Sequence, residues 1–341
     1  MQNALIINQK LADFTLETRP IPQVAAGEVL VKVKAVGLNP IDWKIQKYAF
    51  APIQYPAILG SDIAGEVVAI GEGVRRYVVG DRVFGAGFPY PDYAGYQEYC
   101  KLKEDFSAKI PESLTYEQAS TIPVTLATAH QGLYNVAPYG MGFTPLLPPG
   151  KNQHALVIGG GSSIGQFVIQ LARESGFSPI ITTASLKHTE RLKSLGVTHV
   201  IDRTLPPDNL KTTIAEILVL GKSRDGLKYI FDAISEQKTQ TVAYDLLAPG
   251  GTLELVLPKQ ISNESEDKRV LITYGYPDAA HNTVNLKRLY GALPSLIEEG
   301  TLKQTNVEVV SGGLGGIVEA LGRLENNQAS GFKFVARPSD K

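Results

Sequence analysis

A glycine-rich turn at residues 159–165 is the part of the chain whose spacing most directly indicates chemistry. An apolar run at 155–158 precedes the turn, and apolar residues at helical spacing follow it. A strand, a glycine turn and a helix in this order place backbone N–H groups at a helix N-terminus, where they bind a pyrophosphate. The spacing is G-x-x-S-x-x-G and not G-x-G-x-x-G, so a turn that only joins strand to helix is the alternative. The residues predicted to bind a dinucleotide here are Gly160, Gly161, Ser162, Ser163 and Ile164.

The strand after this helix carries the residues that select the cofactor. An NAD site needs a carboxylate about 20 residues beyond the glycine turn, where it accepts hydrogen bonds from the ribose hydroxyls. Residues 182–188 contain no acid, and the first one is Glu190 in the next helix. Ser185 can bind a 2'-phosphate, Lys187 can neutralise it, and Arg203 follows the third strand. We therefore predict NADP(H), with solvated surface charge as the alternative for Lys187 and Arg203.

The first part of the chain predicts a β-rich domain. Up to about residue 110, short β-branched runs alternate with turns. Strands are expected at 28–38, 63–70, 82–85 and 96–102, with few helices between them. This pattern is typical of a partly closed barrel.

From about residue 121 the sequence alternates between strands and helices, which predicts an α/β domain with a doubly wound parallel sheet. The expected strands lie at 155–158, 179–183, 199–202, 229–233 and 251–257. The tail from about residue 286 offers two helices and two strands, 307–310 and 332–336, and we expect it to return to the first domain. The segment 138–151 contains four prolines and three glycines, too many for a helix.

Composition excludes several classes of protein. The chain has 33 Lys+Arg against 34 Asp+Glu, so a specialist for nucleic acid or anionic membranes is disfavoured. The one cysteine cannot form an intramolecular disulfide, a Cys-rich zinc site or an iron–sulfur cluster. The five histidines show no metal-ligand spacing, and no run of 18 apolar residues occurs. We expect a soluble, cytoplasmic protein without a metal.

Several ordered motifs resemble the medium-chain dehydrogenase/reductase superfamily. They are VGLNPIDWK at 36–44, YPAILGSDIAGEVVAIGEGV at 55–74, VGDRVFG at 79–85 and IPVTLATAHQGLY at 122–134. The resemblance covers nearly the whole chain. It implies a GroES-like catalytic domain of residues 1–122 and 286–341 and an NADP-binding Rossmann domain of residues 123–285.

Departures from the alcohol dehydrogenases of this superfamily indicate a branch. Gly60, Ser61 and Asp62 stand where those enzymes carry a zinc-ligand segment, and Asp42 or its neighbours stand where they carry a zinc cysteine. The chain therefore resembles the zinc-free quinone oxidoreductases and enoyl reductases. The DWK triplet, the segment 138–151 and the ending SGFKFVARP are most similar to fungal trans-acting enoyl reductases.

The resemblance implies a reaction and its residues. In this branch hydride from NADPH adds to the β-carbon of an alkene conjugated to a carbonyl or thioester, in the cleft between the domains. Lys44 would donate to the carbonyl or orient a proton source, and Tyr48 would act as general acid. The alternatives are a surface pair of Lys44 with Asp42 and a packed aromatic role for Tyr48. Further contacts with the cofactor are expected from Asn39, Thr128, the backbone of Leu255, Val256 and Leu257, and Tyr276.

Two other functions stay open, a quinone oxidoreductase and a non-catalytic, crystallin-like NADPH-binding protein. The substrate is a small molecule or an acyl group on a carrier protein. Carrier proteins have acidic surfaces, which a basic patch on this chain would attract, and Lys101, Lys103 and Lys109 could contribute to that patch.

For Thr128 the alternative to a cofactor contact is a hydroxyl bonded to its own helix backbone. We favour a monomer, because the segment 138–151 would interrupt the strand pairing that joins dimers of many relatives.

Overall fold

The computed structural model describes residues 1–87, 90–143, 153–220, 226–277 and 279–340. Its strands are β1 Gln2–Ile7, β2 Phe14–Arg19, β3 Glu28–Gly37, β4 Ala57–Ile58, β5 Asp62–Ile70, β6 Arg82–Ala86, β7 Tyr99–Lys103, β8 Ser107–Lys109, β9 Ala155–Ile158, β10 Ile180–Ala184, β11 His199–Asp202, β12 Leu227–Asp232, β13 Leu247–Leu255, β14 Arg269–Ile272, β15 Asn306–Val310 and β16 Phe332–Ala336. Its α-helices are α1 Pro40–Tyr48, α2 Tyr116–Ala119, α3 Pro123–Tyr134, α4 Ser163–Glu174, α5 Thr189–Leu195, α6 Pro207–Leu220, α7 Gln237–Leu246, α8 Thr283–Glu298 and α9 Gly313–Glu325.

These elements form two compact units. Unit 1 comprises Met1–Val124, Tyr276–Gly300 and Gln304–Lys341, and unit 2 comprises Thr125–Gly275 and Thr301–Lys303. None of the helices in the described residues is long and apolar enough to span a bilayer.

Unit 1 is built on a seven-stranded sheet with β3 near its centre. Along β15–β16–β3–β5–β6–β8 neighbours are hydrogen-bonded, and β7 pairs with β3. Alternate residues of β3 (Val29, Val31 and Val33) are fully buried, as the period-two pattern predicted. The tail returns to this sheet, because β16 pairs antiparallel with β3. A separate three-stranded sheet has the order β2–β1–β4.

Helix α1 was not predicted, and its ends are set by local chemistry. Pro40 at its first position has a φ suited to a helix and no N–H that needs an acceptor. The Asp42 carboxylate accepts a hydrogen bond of 2.9 Å from the backbone N–H of Asn39. Ala49, with φ +48°, ends the helix by donating its N–H to the carbonyl of Ile45. The expectation of few helices in this region overlooked these capping residues.

Unit 2 contains a six-stranded parallel sheet in the order β11–β10–β9–β12–β13–β14. This is the strand order of a doubly wound Rossmann sheet, so the predicted fold class is confirmed. Leu253 and Leu255 of β13 share one apolar core with residues of α6 and α7. The sixth strand, β14, was missing from the sequence prediction.

The proline-rich segment is described only in part, since residues 144–151 lie outside the described residues. Its first residues are not helical, as predicted. Phe143 packs edge-to-face against Tyr229 and Phe177, with ring centroids 4.8 and 5.0 Å away.

Candidate active site

The glycine turn of unit 2 connects β9 to α4, and close packing explains its glycines. Gly159 has φ +79°, a conformation that side chains disfavour. A Cβ on Gly160 would lie 2.1 Å from the Thr182 hydroxyl, and one on Gly165 would lie 2.3 Å from the Gly159 carbonyl. The missing side chains therefore let α4 begin directly against the ends of the parallel strands.

Two of the five residues predicted to bind phosphate use their N–H groups within the protein. Gly160 donates to the carbonyl of Thr183 at 3.1 Å, and Ser162 donates to that of Gly159 at 2.9 Å. The Ser162 hydroxyl caps α4 by accepting from the Gly165 N–H at 3.0 Å. Gly160 and Ser162 therefore shape the turn and do not offer backbone donors.

The other three N–H groups, of Gly161, Ser163 and Ile164, have no acceptor among the described residues. Ser163 and Ile164 are the first residues of α4, whose N–H groups cannot bond within the helix. A Cβ on Gly161 would meet only His188 within 4 Å, at 3.5 Å. Three free donors at an open helix N-terminus fit the pyrophosphate of a dinucleotide.

Ser185 and Arg203 lie together at the carboxyl edge of the same sheet. Ala184, the last residue of β10, is paired with Asp202, the last residue of β11. Ser185 and Arg203 are the next residues of the two strands, and the Arg203 N–H donates to the Ala184 carbonyl at 3.0 Å. The structure thus brings a hydroxyl and a guanidinium residue to adjacent positions, as a 2'-phosphate would require.

A short 3₁₀ turn, Leu186–His188, adds two more basic residues beside them. Lys187 is exposed, and His188 is partly buried. Burial, and then the charges of Lys187 and Arg203, lower the pKa of His188 from its usual value. The two smaller causes, the charges of Lys187 and Arg203, make the end of β10 electropositive.

The predicted backbone contacts near the end of β13 are partly occupied. Leu255 is buried in the core and its carbonyl accepts from the Thr273 N–H at 2.9 Å. Val256 donates its N–H to the Ser235 hydroxyl at 2.9 Å. Leu257, the third predicted residue, is half-buried, and its backbone has no hydrogen-bond partner among the described residues.

The structure places Thr128 and Tyr276 in different units. Thr128 is buried in α3. Tyr276 is half-buried, and its carbonyl accepts from the Asn282 amide at 2.9 Å.

Asn39 is held by a buried ion pair in unit 1. Its amide nitrogen donates to Asp62 Oδ2 at 2.7 Å, and its amide oxygen accepts from Lys333 Nζ at 2.9 Å. Lys333 is also ion-paired with Asp62, and both side chains are almost completely buried. Asp62 Oδ1 accepts from the Val124 N–H at 2.6 Å, in the first turn of α3.

A second carboxylate holds the backbone of the same residue. Asp42 Oδ2 accepts from the Asn39 N–H and, at 2.7 Å, from the Tyr96 hydroxyl. Burial raises the pKa of Asp42 to about 6, although both hydrogen bonds oppose the rise. Asp42 is only 1% exposed, so it does not provide the surface partner for Lys44 that the sequence left open.

Lys44 and Tyr48 lie on α1 among aromatic side chains. Lys44 Nζ is 5.5 Å from the Trp43 ring centroid and 5.8 Å from that of Phe50, distances typical of cation–π contacts. Tyr48 contacts the Trp43 ring edge-to-face, but 66% of Tyr48 is exposed. It is therefore not an aromatic packed inside the protein, which was the alternative. The exposed phenol of Tyr48 and the ammonium group of Lys44, both on one short helix, are of the chemical types that transfer protons and bind carbonyl oxygens.

The lysines expected to attract an acidic carrier are mostly compensated within unit 1. Lys101 is buried and ion-paired with Glu28 at 3.2 Å. Lys109 is paired with Asp81 at 2.8 Å. Lys103 lies over the Tyr93 ring. These residues therefore offer little uncompensated positive charge.

Sequence reasoning missed Lys333, Asp62 and Tyr96 as a connected group. The available signal was a single lysine inside the apolar strand FKFVA and an aspartate beginning the apolar strand DIAGEVVAI. A charged residue at a buried strand position needs a partner, but the sequence does not say which one. Among the described residues, no group of three or more His, Cys, Asp or Glu could hold a metal ion.

Comparisons with known families agree with these two units. Residues 25–112 match the alcohol dehydrogenase GroES-like domain, and residues 163–258 match the zinc-binding dehydrogenase family. An alcohol dehydrogenase superfamily protein of Novosphingobium aromaticivorans has the same fold, with a TM-score of 0.79 at 24% identity over 98% of this chain and 99% of its own. The chain belongs to the medium-chain dehydrogenase/reductase superfamily.

Within that superfamily the chain lies in the enoyl-reductase-like branch. It is 30% identical to the trans-enoyl reductase opdC of Penicillium oxalicum, over 94% of this chain and 92% of the relative. A mycobacterial protein solved in complex with NADPH shares the fold, with a TM-score of 0.78 at 23% identity over 99% of this chain and 100% of its own. The protein is therefore an oxidoreductase of the enoyl-reductase type, with a fold that binds a nicotinamide cofactor.

Proposed function

We propose that the protein is an NADPH-dependent, zinc-independent reductase of carbon–carbon double bonds conjugated to a carbonyl or a thioester. The observation that carries the cofactor part is the open turn in unit 2, with free N–H groups on Gly161, Ser163 and Ile164. The neighbouring Ser185 and Arg203 support a cofactor with a 2'-phosphate. The name of the relative, trans-enoyl reductase, supports the substrate class.

The chain's own residues support the absence of zinc. Asp62, the one acid of the segment that resembles a zinc-ligand segment, uses one carboxylate oxygen for Val124 and the other for Asn39 and Lys333. A carboxylate committed to an ammonium group and two N–H donors is a poor metal ligand. Asn39 and Ser61 are weak zinc ligands by chemistry.

When bound, the nicotinamide cofactor supplies hydride to the β-carbon of the alkene. Negative charge then develops on the substrate carbonyl oxygen and must be stabilised by hydrogen-bond donors. Lys44 offers an ammonium group for this charge, and Tyr48 offers a phenolic proton for the α-carbon. Both residues lie on α1 next to Trp43, whose ring provides an apolar surface for an acyl chain.

The substrate in this proposal is a free or carrier-bound enoyl group, and the enzyme acts in the cytoplasm as a monomer. A carrier partner would have to meet other basic residues than Lys101 and Lys109, because both are paired. Light scattering at working concentrations measures the oligomeric state, and a dimer would contradict this part of the proposal.

Calorimetric titration with NADPH and NADH, followed by loss of NADPH absorbance with enones, enoyl thioesters and quinones, tests the function. We expect NADPH to bind at least about tenfold more tightly than NADH and an enoyl substrate to be reduced. Turnover of quinones alone would assign a quinone oxidoreductase. Tight binding without turnover of free or carrier-bound substrates would favour the non-catalytic function.

Lys44→Ala tests the catalytic helix, and Lys47→Ala is its matched control. Lys47 lies on the same helix but is ion-paired with Glu325. We expect Lys44→Ala to lower kcat by about tenfold or more with NADPH affinity unchanged, because it removes a donor to developing charge. Equal loss of turnover and NADPH affinity would instead mean that Lys44 supports the cofactor or the fold.

A further inference from the structure

The side-chain amide of Asn39 can adopt only one orientation. Its oxygen faces the Lys333 ammonium at 2.9 Å and its nitrogen faces the Asp62 carboxylate at 2.7 Å. An amide flipped by 180° would place two donors together and two acceptors together, so the assignment is unambiguous. The backbone N–H of Asn39 is fixed as well, by Asp42.

This arrangement leaves a defined hydrogen-bonding group. An amide has two N–H donors and two oxygen lone pairs, and the described residues use one of each. A positive charge on the oxygen draws electron density from the nitrogen and strengthens the remaining N–H as a donor. A strong, oriented donor is suited to an oxygen atom that gains negative charge during a reaction.

The surrounding structure accommodates the lysine closely. A Cβ on Gly37, at the end of β3, would lie 2.9 Å from Lys333 Cε and 2.4 Å from the Ser120 carbonyl. Glycine at this position therefore makes room for the lysine side chain between the strands. The charges of Lys333 and Asp62 balance each other, which a buried ion pair requires.

We infer that Lys333 and Asp62 are positioning residues that orient and polarise the Asn39 amide. This amide donates a hydrogen bond to the substrate carbonyl oxygen as charge develops there, in place of the cofactor contact that the sequence predicts for Asn39. The inference rests on the proposed reductase function. Lys333, with its side chain 3% exposed, acts through Asn39 and not on the substrate itself.

A double-mutant cycle with Asn39→Ala and Lys333→Met tests this inference. Each single variant is expected to lower kcat by about ten- to a hundredfold, while the NADPH dissociation constant stays within about threefold. Since Lys333 acts through Asn39, adding Lys333→Met to Asn39→Ala should lower kcat no further. The inference would be overturned if the losses in kcat of the two single variants multiplied in the double variant. An unchanged kcat in either single variant, or a loss of NADPH affinity as large as the loss in kcat, would also overturn it.

A second variant is needed because Lys333→Met leaves Asp62 buried without its counter-charge and endangers folding. The pair Lys333→Met with Asp62→Asn removes both charges and keeps an acceptor for the Val124 N–H. We expect this neutral pair to recover the melting temperature but not kcat, because the Asn39 amide is no longer forced into one orientation. Recovery of kcat together with stability would mean that the ion pair is structural only.

Lys32→Met, an exchange of the same size at a partly exposed position of β3, is the control and should leave kcat unchanged. If the unaltered protein reduces none of the conjugated substrates, the proposed function fails, and this inference fails with it. If the unaltered protein is active and the Lys333 and Asn39 variants are equally active, only the inference fails.

Discussion

Under the proposed function, the residues at the end of β10 would distinguish two cofactors, NADPH and NADH, that differ by one phosphate. Ser185 is adjacent to Arg203, and Lys187 and His188 follow within one turn. No acid lies in residues 182–188, so nothing there would repel a 2'-phosphate or bind a ribose diol strongly. Under the proposed function, charge and hydrogen bonding at this edge would favour NADPH over NADH.

Replacing Ser185 with Asp should reverse part of this preference. A carboxylate at this position repels the 2'-phosphate and accepts hydrogen bonds from ribose hydroxyls. Calorimetry should show NADPH weakened by about tenfold or more, and the gap to NADH narrowed. Ser194→Asp, at an exposed position of α5, is the control. An unaltered preference in Ser185→Asp would place the 2'-phosphate elsewhere.

His188 should make the NADPH affinity depend on pH. Burial and the charges of Lys187 and Arg203 hold its pKa below the usual value without cofactor, and a bound dianionic phosphate would raise it. Binding then takes up a proton, so the NADPH preference over NADH should weaken as pH rises from about 5.5 to about 8. Calorimetry on His188→Asn at the same pH values separates this effect from titration of the phosphate itself, which has a pKa of about 6. Identical pH profiles of the two proteins would exclude a role for His188.

Local patterns predicted the residues of the glycine turn and of the β10 edge, because each set lies within one or two successive βα steps. The group of Asn39, Asp62 and Lys333 could not be found in this way. Asp62 and Lys333 are separated by 271 positions, and only the pairing of β16 with β3 and of β3 with β5 brings them together. A single sequence contains no signal for that pairing.

At the scale of elements, α1 depends on a carboxyl group with an unusual environment. Burial raises the pKa of Asp42 in the folded protein to about 6, from the ordinary value of 3.8 for an aspartate. A raised pKa means that the folded state binds a proton more tightly than the unfolded state. The contribution of Asp42 to stability is therefore complete below about pH 4 and is lost as pH rises through about 6.

Asp42→Asn should remove this pH dependence. The difference in the free energy of unfolding between the two proteins should shift in favour of the variant by up to about 3 kcal/mol between about pH 4 and pH 7. Urea unfolding followed by circular dichroism at several pH values measures the shift. Asp13→Asn, at an exposed position, is expected to leave the profile of the unaltered protein in place. If the free energy of unfolding of Asp42→Asn changed with pH in parallel with that of the unaltered protein, the raised pKa of Asp42 would be contradicted.

Strand β13 carries a second unusual carboxyl group, Glu254. It is fully buried, and neither carboxyl oxygen has a hydrogen-bond partner among the described residues. Burial holds its pKa well above the usual range, so the group is neutral at the cost of an unsatisfied acid in the core.

Glu254→Met should therefore stabilise the protein. Replacing an unpartnered polar group with an apolar one of similar length is expected to raise the free energy of unfolding by about 1–3 kcal/mol. Urea unfolding at neutral pH measures this, and Glu216→Met on the exposed face of α6 should change stability by less than about 0.5 kcal/mol. A less stable Glu254→Met protein would show that the carboxyl group has a favourable interaction in solution.

The elements that sequence patterns predicted best were strands with a buried face, such as β3, β9 and β16. Sequence patterns did not predict β2 and β14, in which buried and exposed residues fail to alternate. All six residues of β2 are at least partly exposed, and β14 has only one buried residue. The nine-residue helix α1 is set by Pro40 and by Asp42 rather than by an apolar stripe.

At the scale of the whole molecule, the path of the chain through the two units determines how much of each unit the sequence could predict. Unit 2 is nearly continuous, whereas unit 1 is assembled from three separate segments. Length and alternation predicted the Rossmann sheet because all of its strands follow one another along the chain. The return of the tail to the first sheet was an expectation from its length, and the β16–β3 pairing confirms it.

The pairing of β16 with β3 also fixes an order of events during synthesis. Lys333 leaves the ribosome 294 residues after Asn39, so the amide of Asn39 has no cationic partner until all strands of unit 2 have been synthesised. Before Lys333 is synthesised, Asp62 lacks its ion-pair partner. The strands of unit 2 have been synthesised by that time and can pair with one another. A nascent chain is thus expected to gain its nucleotide-binding sheet first and its oriented amide last. Under the proposed function and the inferred role of the Asn39 amide, incomplete chains would bind a cofactor but would not catalyse the reduction.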